Sequence, residues 1–416
     1  MISIQSLAEL TSLIRQVRQA NKALGTVNIA EVLQLIVQTV SDERNTILEA
    51  NTLDLEASLE MAVPSLILEW LKLTPERLSA SLAVVERLRL TQPYLHGYPL
   101  AAEPTASRHT HRYSLNAPLG VVALVYEALP ELAIVAAALC LSTGNSLILK
   151  GGHEASQTNQ AIADVLQKVL VKANLPEYTI LAISPSEGEA ARRWLTQTPD
   201  LDLLIPYGRA GLVQKVVREA HSPALSTAIG NCYLYWGNTA PAELVAQMVI
   251  DSYKGDPEPV NCIEKVLVNA KVPPNTLSEF HHRLERASLT VQECACPPEG
   301  IKTVDDAELW YQARLNHTII SSRVPNLAAA VAIINECSYQ HACCIASNTY
   351  SETMQFVGEV QSATTYINTS PRFQRNAAQP NEIALGMSPQ KRASNGRITA
   401  ANLTRCKTIV NGLETT

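Results

Sequence analysis

Residues 117–155 read APLGVVALVYEALPELAIVAAALCLSTGNSLILKGGHEA, and this stretch decides the fold class. The apolar run at its start predicts a buried strand that follows a turn, and the alanine-rich segment Pro130–Leu141 predicts a helix. SLILKGG predicts a second strand that ends in glycines. A strand, a helix and a second strand in this order indicate a parallel pair joined by a crossover helix. The ligand of such a sheet is expected beyond the carboxyl ends of its strands.

The same alternation continues downstream. After the second strand the pattern predicts a helix, a strand, a helix, a strand and a helix, at Ala155–Ala173, TILAIS, Glu187–Thr196, LDLLIPYGRAG and Leu212–Ala220. From Ser226 a second α/β pattern begins, with strands at TAIGNCYLYWG, EKVLVN, HTIISS, HACCIAS and TTYINTS. Residues 1–90 have apolar residues at helical spacing, and the tail CKTIVNG predicts a short strand with no partner nearby in sequence. We therefore predict an α/β protein with a doubly wound parallel sheet and a second α/β domain.

Length and composition limit the classes of function. At 416 residues the chain is too long for one core, so two domains are expected. A net charge of −6 without a block of lysines and arginines argues against binding to nucleic acid or a membrane surface. No apolar run reaches the roughly 18–20 residues of a spanning helix, and the first residues lack the continuous apolar core of a signal peptide. We expect a cytoplasmic protein.

Nine cysteines in such a chain are expected to be reduced thiols. Two close pairs, Cys294 with Cys296 and Cys343 with Cys344, invite a zinc interpretation. Neither is accompanied by a second pair at zinc-finger spacing. We therefore predict no metal site.

Several long strings resemble γ-glutamyl phosphate reductases (glutamate-5-semialdehyde dehydrogenases), a family of the aldehyde dehydrogenase superfamily. Residues 117–155 resemble the family's P-I-G-V-x-x-x-I-Y-E-A-R-P-N-V segment and the G-N-A-V-I-L-R-G-G-S-E-A segment that follows. TAIGNCYLYW (227–236) resembles T-G-V-G-N-C-H-x-Y, and YINTSPRF (366–373) resembles Y-V-N-A-S-T-R-F. NEIALGMSPQKRASNG (381–396) resembles A-E-I-G-I-S-T-Q-x-x-H-A-R-G. The correspondence runs from about residue 10 to residue 412, so the chain is identified as a member of this family.

The resemblance implies an aldehyde dehydrogenase-like fold with three parts. These are a Rossmann-like cofactor domain, an α/β catalytic domain and a small β ribbon for oligomerisation. The ribbon gives the tail strand a partner. The expected boundaries are 1–110 with 118–228 for the cofactor domain, 229–380 for the catalytic domain, and 111–117 with 401–416 for the ribbon. A homo-oligomer, either a dimer or a tetramer, is the expected assembly.

The family reaction reduces L-glutamyl 5-phosphate to L-glutamate 5-semialdehyde and phosphate with NADPH, in proline biosynthesis. It needs a thiolate nucleophile, N–H donors for the oxyanion, and a nicotinamide held against the thioester carbon. The resemblance therefore implies NADP(H) as cofactor and a small glutamyl substrate or an analogue of it. The residues that match the family's cofactor contacts are Lys150, Gly151, Gly208, Gly211 and Glu382, and those that match its substrate loop are Asn368, Ser370 and Arg372. Taken alone, Lys150 fits equally well as a solvated lysine at a strand end.

The catalytic positions depart from the family pattern. PEPVNCIEKVLV (257–268) resembles R-P-x-x-C-N-A-x-E-K-L-L-V, with Asn261 in register, but the position of the catalytic cysteine is Val260. The oxyanion asparagine is Glu131, and the glutamate before T-G-V-G-N is Ser226. Removing a nucleophile can cost about 10⁶ in rate, and one oxyanion donor about 10²–10³. We expect lost or strongly reduced reductase activity.

Three hypotheses stay open on the sequence. Cys262, two residues after Val260, could serve as a relocated nucleophile. It is displaced by about 6–7 Å in an extended segment, whereas attack needs atoms within about 3–3.5 Å. The protein could instead be a non-catalytic paralogue that binds NADP(H), a glutamyl metabolite or a partner protein, including an active paralogue. It could also be a different enzyme that uses Glu131 as a base, although Glu131 fits better as a solvated residue at a helix start, because no activated nucleophile accompanies it.

Overall fold

Five helices form the first part of the chain in the computed structural model, which describes residues 1–91, 102–103, 110–185, 188–254, 258–295, 304–377, 379–389 and 396–412. Ser6 and Asn28 cap the first two helices with their side-chain oxygens, which accept hydrogen bonds from backbone N–H groups of the first turn. The helical prediction for residues 1–90 is confirmed. The helices are α1 (Leu7–Asn21), α2 (Ile29–Asp42), α3 (Arg44–Glu60), α4 (Ser65–Leu71) and α5 (Pro75–Thr91).

A β ribbon pairs two distant parts of the chain. Strand β1 (Ala102–Glu103) lies antiparallel to β2 (Thr110–Pro118), and β2 pairs along its whole length with the last strand of the chain. The register runs from Thr110 opposite Gly412 to Pro118 opposite Thr404. The tail predicted as an orphan strand therefore has its partner within the same chain.

The first sheet follows the ribbon. It contains β3 (Val121–Tyr126), β4 (Ser146–Lys150), β5 (Ile180–Ala182) and β6 (Leu203–Tyr207), all parallel and in the order β5-β4-β3-β6. These four strands are buried along their whole length, as expected for a sheet covered on both faces. The helices that connect and follow them are α6 (Leu132–Ser142), α7 (Ser156–Lys172), α8 (Gly188–Gln197) and α9 (Ala210–Glu219). The strand order reverses between β3 and β6, which is where a ligand crevice is expected.

The second sheet has six parallel strands in the order β12-β11-β7-β8-β10-β9. In chain order they are β7 (Cys232–Trp236), β8 (Ile263–Asn269), β9 (Thr290–Glu293), β10 (Thr318–Val324), β11 (Cys343–Ala346) and β12 (Thr365–Ile367). Two apolar clusters lie on the two faces of its central strands. The accompanying helices are α10 (Ala242–Ser252), α11 (Pro274–Arg286), α12 (Val304–Tyr311), α13 (Leu327–Cys337) and α14 (Tyr350–Glu359).

The chain then returns to the first part of the molecule. A hairpin of β13 (Ala384–Ser388) and β14 (Gly396–Thr399) precedes β15 (Thr404–Gly412), which closes the ribbon. An antiparallel bridge joins Met387 of β13 to Ala228, just before the second sheet begins. The domain boundaries expected from the resemblance stay a prediction, and their residues 92–101, 104–109 and 413–416 lie outside the described part of the chain.

Strand β7 is shorter than its sequence pattern indicated. TAIGNCYLYWG predicts a strand over its whole length, but β7 begins at Cys232. Gly230 and Asn231 both have left-handed backbone conformations, with φ of 72° and 56°, and these break the extended run. Their backbone N–H groups instead donate to the Val260 carbonyl (2.9 Å) and to Glu264 Oε2 (3.0 Å).

No single helix among the described residues is both long and apolar enough to cross a membrane. Two consecutive helical segments, Leu7–Thr26 and Ile29–Asp42, reach the required length and apolar composition only when they are combined, and the chain bends by 109° between them.

Candidate functional site

A cleft of about 700 Å³ lies at the carboxyl ends of β3, β4 and β6. One wall is formed by Glu127, by Lys150 with the two glycines that follow it, and by residues 208–212. The other wall comes from residues 312–315 and Tyr339, which belong to the second α/β unit. The cleft therefore occupies the crevice that the strand order of the first sheet predicts.

At the carboxyl end of β4, Lys150 is buried, and the next position, Gly151, has no space for a side chain. Lys150 is 4% exposed, and its Nζ donates to the Gly151 carbonyl at 3.0 Å. It is therefore not the solvated lysine that a strand end alone allows. A Cβ on Gly151 would lie 2.2 Å from Asn159 Nδ2, and Asn159 is held by the Tyr126 hydroxyl at 2.9 Å. The glycine keeps the backbone at this side of the cleft free of side-chain atoms.

Gly208 makes the turn between β6 and α9. Its φ is +151°, and a Cβ there would lie 2.8 Å from Glu127 Cβ, so a side chain is excluded on two grounds. The first turn of α9, including Gly211, lines the cleft, and nothing lies within 4 Å of a Cβ placed on Gly211. The N–H groups of the first turn of a helix can bind an anion.

Arg209 and Glu127 form an ion pair at this turn. Arg209 Nε lies 3.1 Å and 3.0 Å from the two Glu127 carboxylate oxygens, and the Arg209 N–H donates to Oε2 at 3.1 Å. The hydrogen bond to Glu127 raises the pKa of Arg209. Arg209 stands between Gly208 and α9, and Glu127 follows β3, so the pair joins the two strands at which the sheet order reverses.

Glu264 and Lys265 hold the second wall of the cleft in place. Glu264 Oε1 accepts from the backbone N–H groups of Arg314 (3.0 Å) and Leu315 (2.6 Å). Lys265 Nζ donates to Asn231 Oδ1 and to the Gln312 carbonyl, each at 2.7 Å. Both side chains are fully buried. An acidic and a basic residue next to each other in an apolar strand indicate a buried ion pair. No sequence motif indicated that this pair binds the loop at residues 312–315.

Val260 lies in a closed apolar shell. It is completely buried and packs with Phe373, Ala384 and Met387. Its backbone N–H donates to the Glu258 carbonyl at 2.8 Å, and the Cys262 N–H donates to the Pro259 carbonyl at 3.1 Å. Residues 258–262 thus form a tight turn. The displacement of about 6–7 Å between positions 260 and 262 holds for an extended segment and does not apply to this turn.

Cys262 faces the interior beside Tyr253. It is completely buried and is not among the described residues that line the 700 Å³ cleft. Burial first, and then the charge of Glu264, raise the pKa of the Cys262 thiol well above its ordinary value. A neutral buried thiol is a poor nucleophile.

A polar network lies between the cofactor cleft and the Val260 turn. The Tyr207 hydroxyl donates to Glu258 Oε1 at 3.0 Å, and Arg375 pairs with the same carboxylate and lies 2.9 Å from the tyrosine hydroxyl. The tyrosine ring also packs on Gly386, since a Cβ there would lie 2.6 Å from the ring. We call these three side chains, Tyr207, Glu258 and Arg375, the central network. Glu258 lies in the string PEPVNCIEKVLV, and Arg375 follows the string YINTSPRF by two residues, but the sequence singled out neither as a site residue.

Glu131 is not the solvated residue that its position at a helix start allows. It is 7% exposed, and its Oε1 accepts from Arg77 Nε at 3.0 Å and also from Arg77 Nη2. Before it, Ala128 and Leu129 have positive φ angles of 49° and 40°, which turn the chain tightly from β3 into α6. The partner arginine lies on α5, far away in sequence, and therefore could not be identified from the motif. Ser226 is half-buried.

The three predicted substrate residues differ in their contacts. Asn368 donates to the Ser347 carbonyl (2.8 Å) and accepts from the Ser347 N–H (2.9 Å), so both ends of its amide are occupied. Ser370 Oγ accepts from the Arg372 N–H at 3.2 Å. Arg372 lines a second cavity of about 370 Å³, together with Glu131.

The two remaining predicted residues lie elsewhere. Asn261 is buried and donates to the Pro371 carbonyl at 2.9 Å. Glu382 is exposed in a 3₁₀ turn and is not among the described residues that line the 700 Å³ cleft. In the part of the chain that the structure describes, no group of three metal-binding side chains is found.

Comparison with known proteins places these features in a family. The chain is 39% identical over 370 residues to gamma-glutamyl phosphate reductase 2 of a Synechocystis species, covering 88% of this chain and 87% of that protein. The crystal structure of gamma-glutamyl phosphate reductase from Thermotoga maritima superposes with a TM-score of 0.84 and 25% identity, over 98% of this chain and 99% of that one.

A more distant structure shares the fold alone. It is an NADP-dependent glyceraldehyde-3-phosphate dehydrogenase from Bacillus halodurans, complexed with NADP, with a TM-score of 0.71 and 15% identity over 98% of this chain and 92% of that one. A scan against models of protein families matches none of them. The 39% identity over 88% of the chain, together with the superposition, carries the assignment: the chain belongs to the γ-glutamyl phosphate reductase family.

Proposed function

We propose that this protein binds a nicotinamide dinucleotide, NADP(H) by preference, and has lost the nucleophilic chemistry of its family. The family reaction is the NADPH-dependent reduction of L-glutamyl 5-phosphate to L-glutamate 5-semialdehyde in proline biosynthesis. The observation that carries the proposal is the closed apolar shell at Val260, where the family places its cysteine. A site without a nucleophile, and without space beside it, offers no route to a thioester.

The cleft fits the phosphate part of a dinucleotide. Gly151 and Gly208 keep both strand ends free of side chains, and the first turn of α9 offers N–H donors. Lys150, Arg192 and Lys215 also line the cleft, and Arg192 and Lys215 share one carboxylate, that of Glu189. The net positive charge of these four side chains favours an additional phosphate and supports NADP(H) over NAD(H). When bound, a nicotinamide supplies hydride chemistry. In this proposal Lys150, Gly151, Gly208 and Gly211 hold the cofactor.

The chemical side of the site is unsuited to an oxyanion. At position 131 a carboxylate replaces an amide, and a carboxylate has no proton to donate when ionised. Its negative charge also opposes a developing oxyanion. The cofactor cleft and the cavity beside Glu131 share no lining residue in the described part of the chain. Hydride transfer needs the two reacting groups in contact.

The relocated nucleophile is the second candidate function. Cys262 is two residues from Val260, which favours it by proximity in sequence. Its complete burial and raised pKa argue against it. A non-catalytic paralogue that binds a partner, including an active copy of the enzyme, is compatible with the retained cleft and a closed reaction centre. We prefer the hypothesis of a non-catalytic paralogue that binds a partner.

The test is NADP⁺-dependent oxidation of glutamate-5-semialdehyde in phosphate by the purified protein, beside Cys262→Ala, with NADPH binding measured by fluorescence. We expect NADPH to bind and turnover to stay at background in both proteins. Turnover in the wild type that disappears in Cys262→Ala would overturn the proposal. As a matched thiol control, iodoacetamide should label the exposed Cys406 well before Cys262.

We further propose that the protein is a homo-oligomer. Strand β15 lies at the edge of the ribbon, and β12 lies at the edge of the second sheet. Both carry exposed apolar residues, Val410 on β15 and Ile367 on β12. Helix α14 adds an apolar stripe at helical spacing, formed by Tyr350, Met354 and Val357. Exposed strand edges beside apolar surface favour association with a second copy.

A further inference from the structure

The cleft at the carboxyl ends of β3, β4 and β6 already holds a negative group at the start of α9. Glu127 follows β3, and its Oε2 accepts from the backbone N–H of Arg209, the residue before α9, at 3.1 Å. The start of a helix attracts anions because its N–H groups and the helix dipole are positive there. A carboxylate of this chain therefore lies where the pyrophosphate of a dinucleotide would be attracted.

The same carboxylate engages the Arg209 guanidinium. The Nε atom lies 3.1 Å and 3.0 Å from the two Glu127 oxygens, and Nη2 also donates to Oε1. Both residues line the cleft, and the Arg209 side chain is 49% exposed. An ion pair as exposed as this one contributes little to stability. The pair can therefore open when a stronger anion arrives.

A second carboxylate makes this part of the cleft negative. Glu154 also lines the cleft, and its Oε1 accepts from the Ala128 N–H at 2.5 Å, which fixes the side chain at the turn after β3. A Cβ on Gly152 would clash with the same carboxylate, so Glu154 packs directly on the backbone. Two carboxylates and one guanidinium leave a net negative charge beside the start of α9. That charge opposes a pyrophosphate, which is itself negative.

We propose that Glu127 and Arg209 form an exchangeable ion pair that sets the affinity of the cleft for its cofactor. In the free protein Glu127 takes the place of the pyrophosphate. When the cofactor binds, its pyrophosphate accepts from the Arg209 N–H and guanidinium, and Glu127 withdraws. A guanidinium suits this exchange, because its planar fork donates equally well to a carboxylate and to two phosphate oxygens.

This inference rests on the proposed function, because it concerns the same cleft. It gives the two residues opposite effects. Glu127 competes with the cofactor and lowers its affinity, whereas Arg209 binds the pyrophosphate and raises it. A pair that only held the turn together would act in one direction, since losing either member would weaken binding.

The test is a double-mutant cycle on the full-length protein, with NADPH binding measured by fluorescence. Glu127→Gln keeps the side-chain volume and removes the charge, so NADPH should bind about tenfold more tightly or better. Arg209→Gln should bind NADPH about tenfold more weakly or worse. The double variant should bind more weakly than Glu127→Gln, because the pyrophosphate loses the guanidinium in either background.

Two results overturn the inference while leaving the proposed function intact. One is NADPH binding by Glu127→Gln that is no tighter than that of the wild type. The other is a double variant that binds as tightly as Glu127→Gln, since Arg209 would then only neutralise Glu127. If neither the wild type nor Glu127→Gln binds NADPH, the proposed function fails as well. Thermal unfolding checks the fold of each variant, and Arg209→Gln, on a half-exposed side chain, decides alone if Glu127→Gln is unstable.

Two smaller probes locate the effect by isothermal titration calorimetry. ADP-ribose has the pyrophosphate without the additional phosphate, and adenosine 2′-phosphate has the additional phosphate without the pyrophosphate. Glu127→Gln should tighten the binding of ADP-ribose only, and an equal gain for adenosine 2′-phosphate overturns the assignment to the pyrophosphate. Glu219→Gln is the matched control, because it removes a carboxylate at the other end of α9 that is not among the described residues lining the cleft. It should bind each probe as the wild type does.

Discussion

At the scale of single residues, His341 shows how burial sets the charge of a side chain. Its Nε2 lies 3.0 Å from the Val260 carbonyl and 3.3 Å from Cys232 Sγ. A carbonyl only accepts, so Nε2 carries a proton. Burial lowers the pKa of His341 from 6.5 to about 4.

This shift predicts a loss of stability in mild acid. The unfolded chain binds a proton on His341 below about pH 6.5, whereas the folded chain binds it only near pH 4. The contribution is therefore fully present above pH 6.5 and is lost as the pH falls from 6.5 to 4, by about 3 kcal/mol in total. Urea unfolding at several pH values should show a steeper decline in the wild type than in His341→Gln. The exposed His282, replaced by glutamine, is the control and should keep the wild-type slope.

Single residues also show where prediction from sequence ends. The valine at position 260 is readable from its motif, because neighbours in the same string set its register. The surroundings of Glu131 are not readable in this way, since Arg77 lies on another helix and only folding brings the two together. The same reason applies to Asn368, whose loop resembles a substrate loop but whose amide is occupied by Ser347.

At the scale of elements, the central network ties three segments together. Tyr207 ends β6, Glu258 precedes the Val260 turn, and Arg375 belongs to the loop before β13. Glu258 is 1% exposed. A buried carboxylate between an arginine and a tyrosine hydroxyl is stable only while its partners remain, because an uncompensated buried charge is costly.

Breaking the central network should therefore cost more than removing one hydrogen bond. Arg375→Gln leaves the Glu258 charge without its cation, and we expect a loss of about 3–5 kcal/mol in the free energy of unfolding. Tyr207→Phe removes one hydroxyl and should cost about 1 kcal/mol. Denaturant titrations check both values, with the exposed Arg218→Gln as control. Equal small losses for all three variants would mean that the buried pair contributes little.

Most elements of the two sheets could be predicted because their strands are continuous apolar runs between turns. Strands β3, β4 and β6 follow that rule. The short strand β9 and the hairpin β13–β14 were missed, since TVQE is largely exposed and its pattern is polar. Their positions depend on neighbouring strands rather than on their own periodicity.

At the scale of the whole molecule, the position of the family's cysteine lies inside an apolar shell and next to the central network. Restoring the cysteine alone should therefore not restore the enzyme. Val260→Cys places a thiol inside the shell of Phe373 and Met387, while Glu131 and the central network stay unchanged. We expect no turnover of glutamate-5-semialdehyde above background, and alkylation of the new thiol no faster than that of Cys262. Robust turnover in this single variant would show that the network opens readily.

Assembly is the other property of the whole molecule. If β12 and β15 contribute to an interface, Ile367→Lys with Val410→Lys should reduce the mass of the particle measured by light scattering. Each substitution places a charge where association buries an apolar side chain. Val171→Lys, on a more exposed apolar residue of α7, should leave the mass unchanged. A wild-type monomer, or an unchanged mass in the double variant, excludes this interface.

The ribbon also has a consequence for how the chain acquires its shape during synthesis. Strand β2 leaves the ribosome early, but its partner β15 comes from the far end of the same polypeptide. At ordinary translation rates the interval is on the order of tens of seconds, during which β2 presents an unpaired backbone edge. Closing so long a loop is slow, so the first sheet should be folded well before the ribbon. A nascent chain arrested before residue 404 is therefore the form most exposed to strand-mediated misassembly.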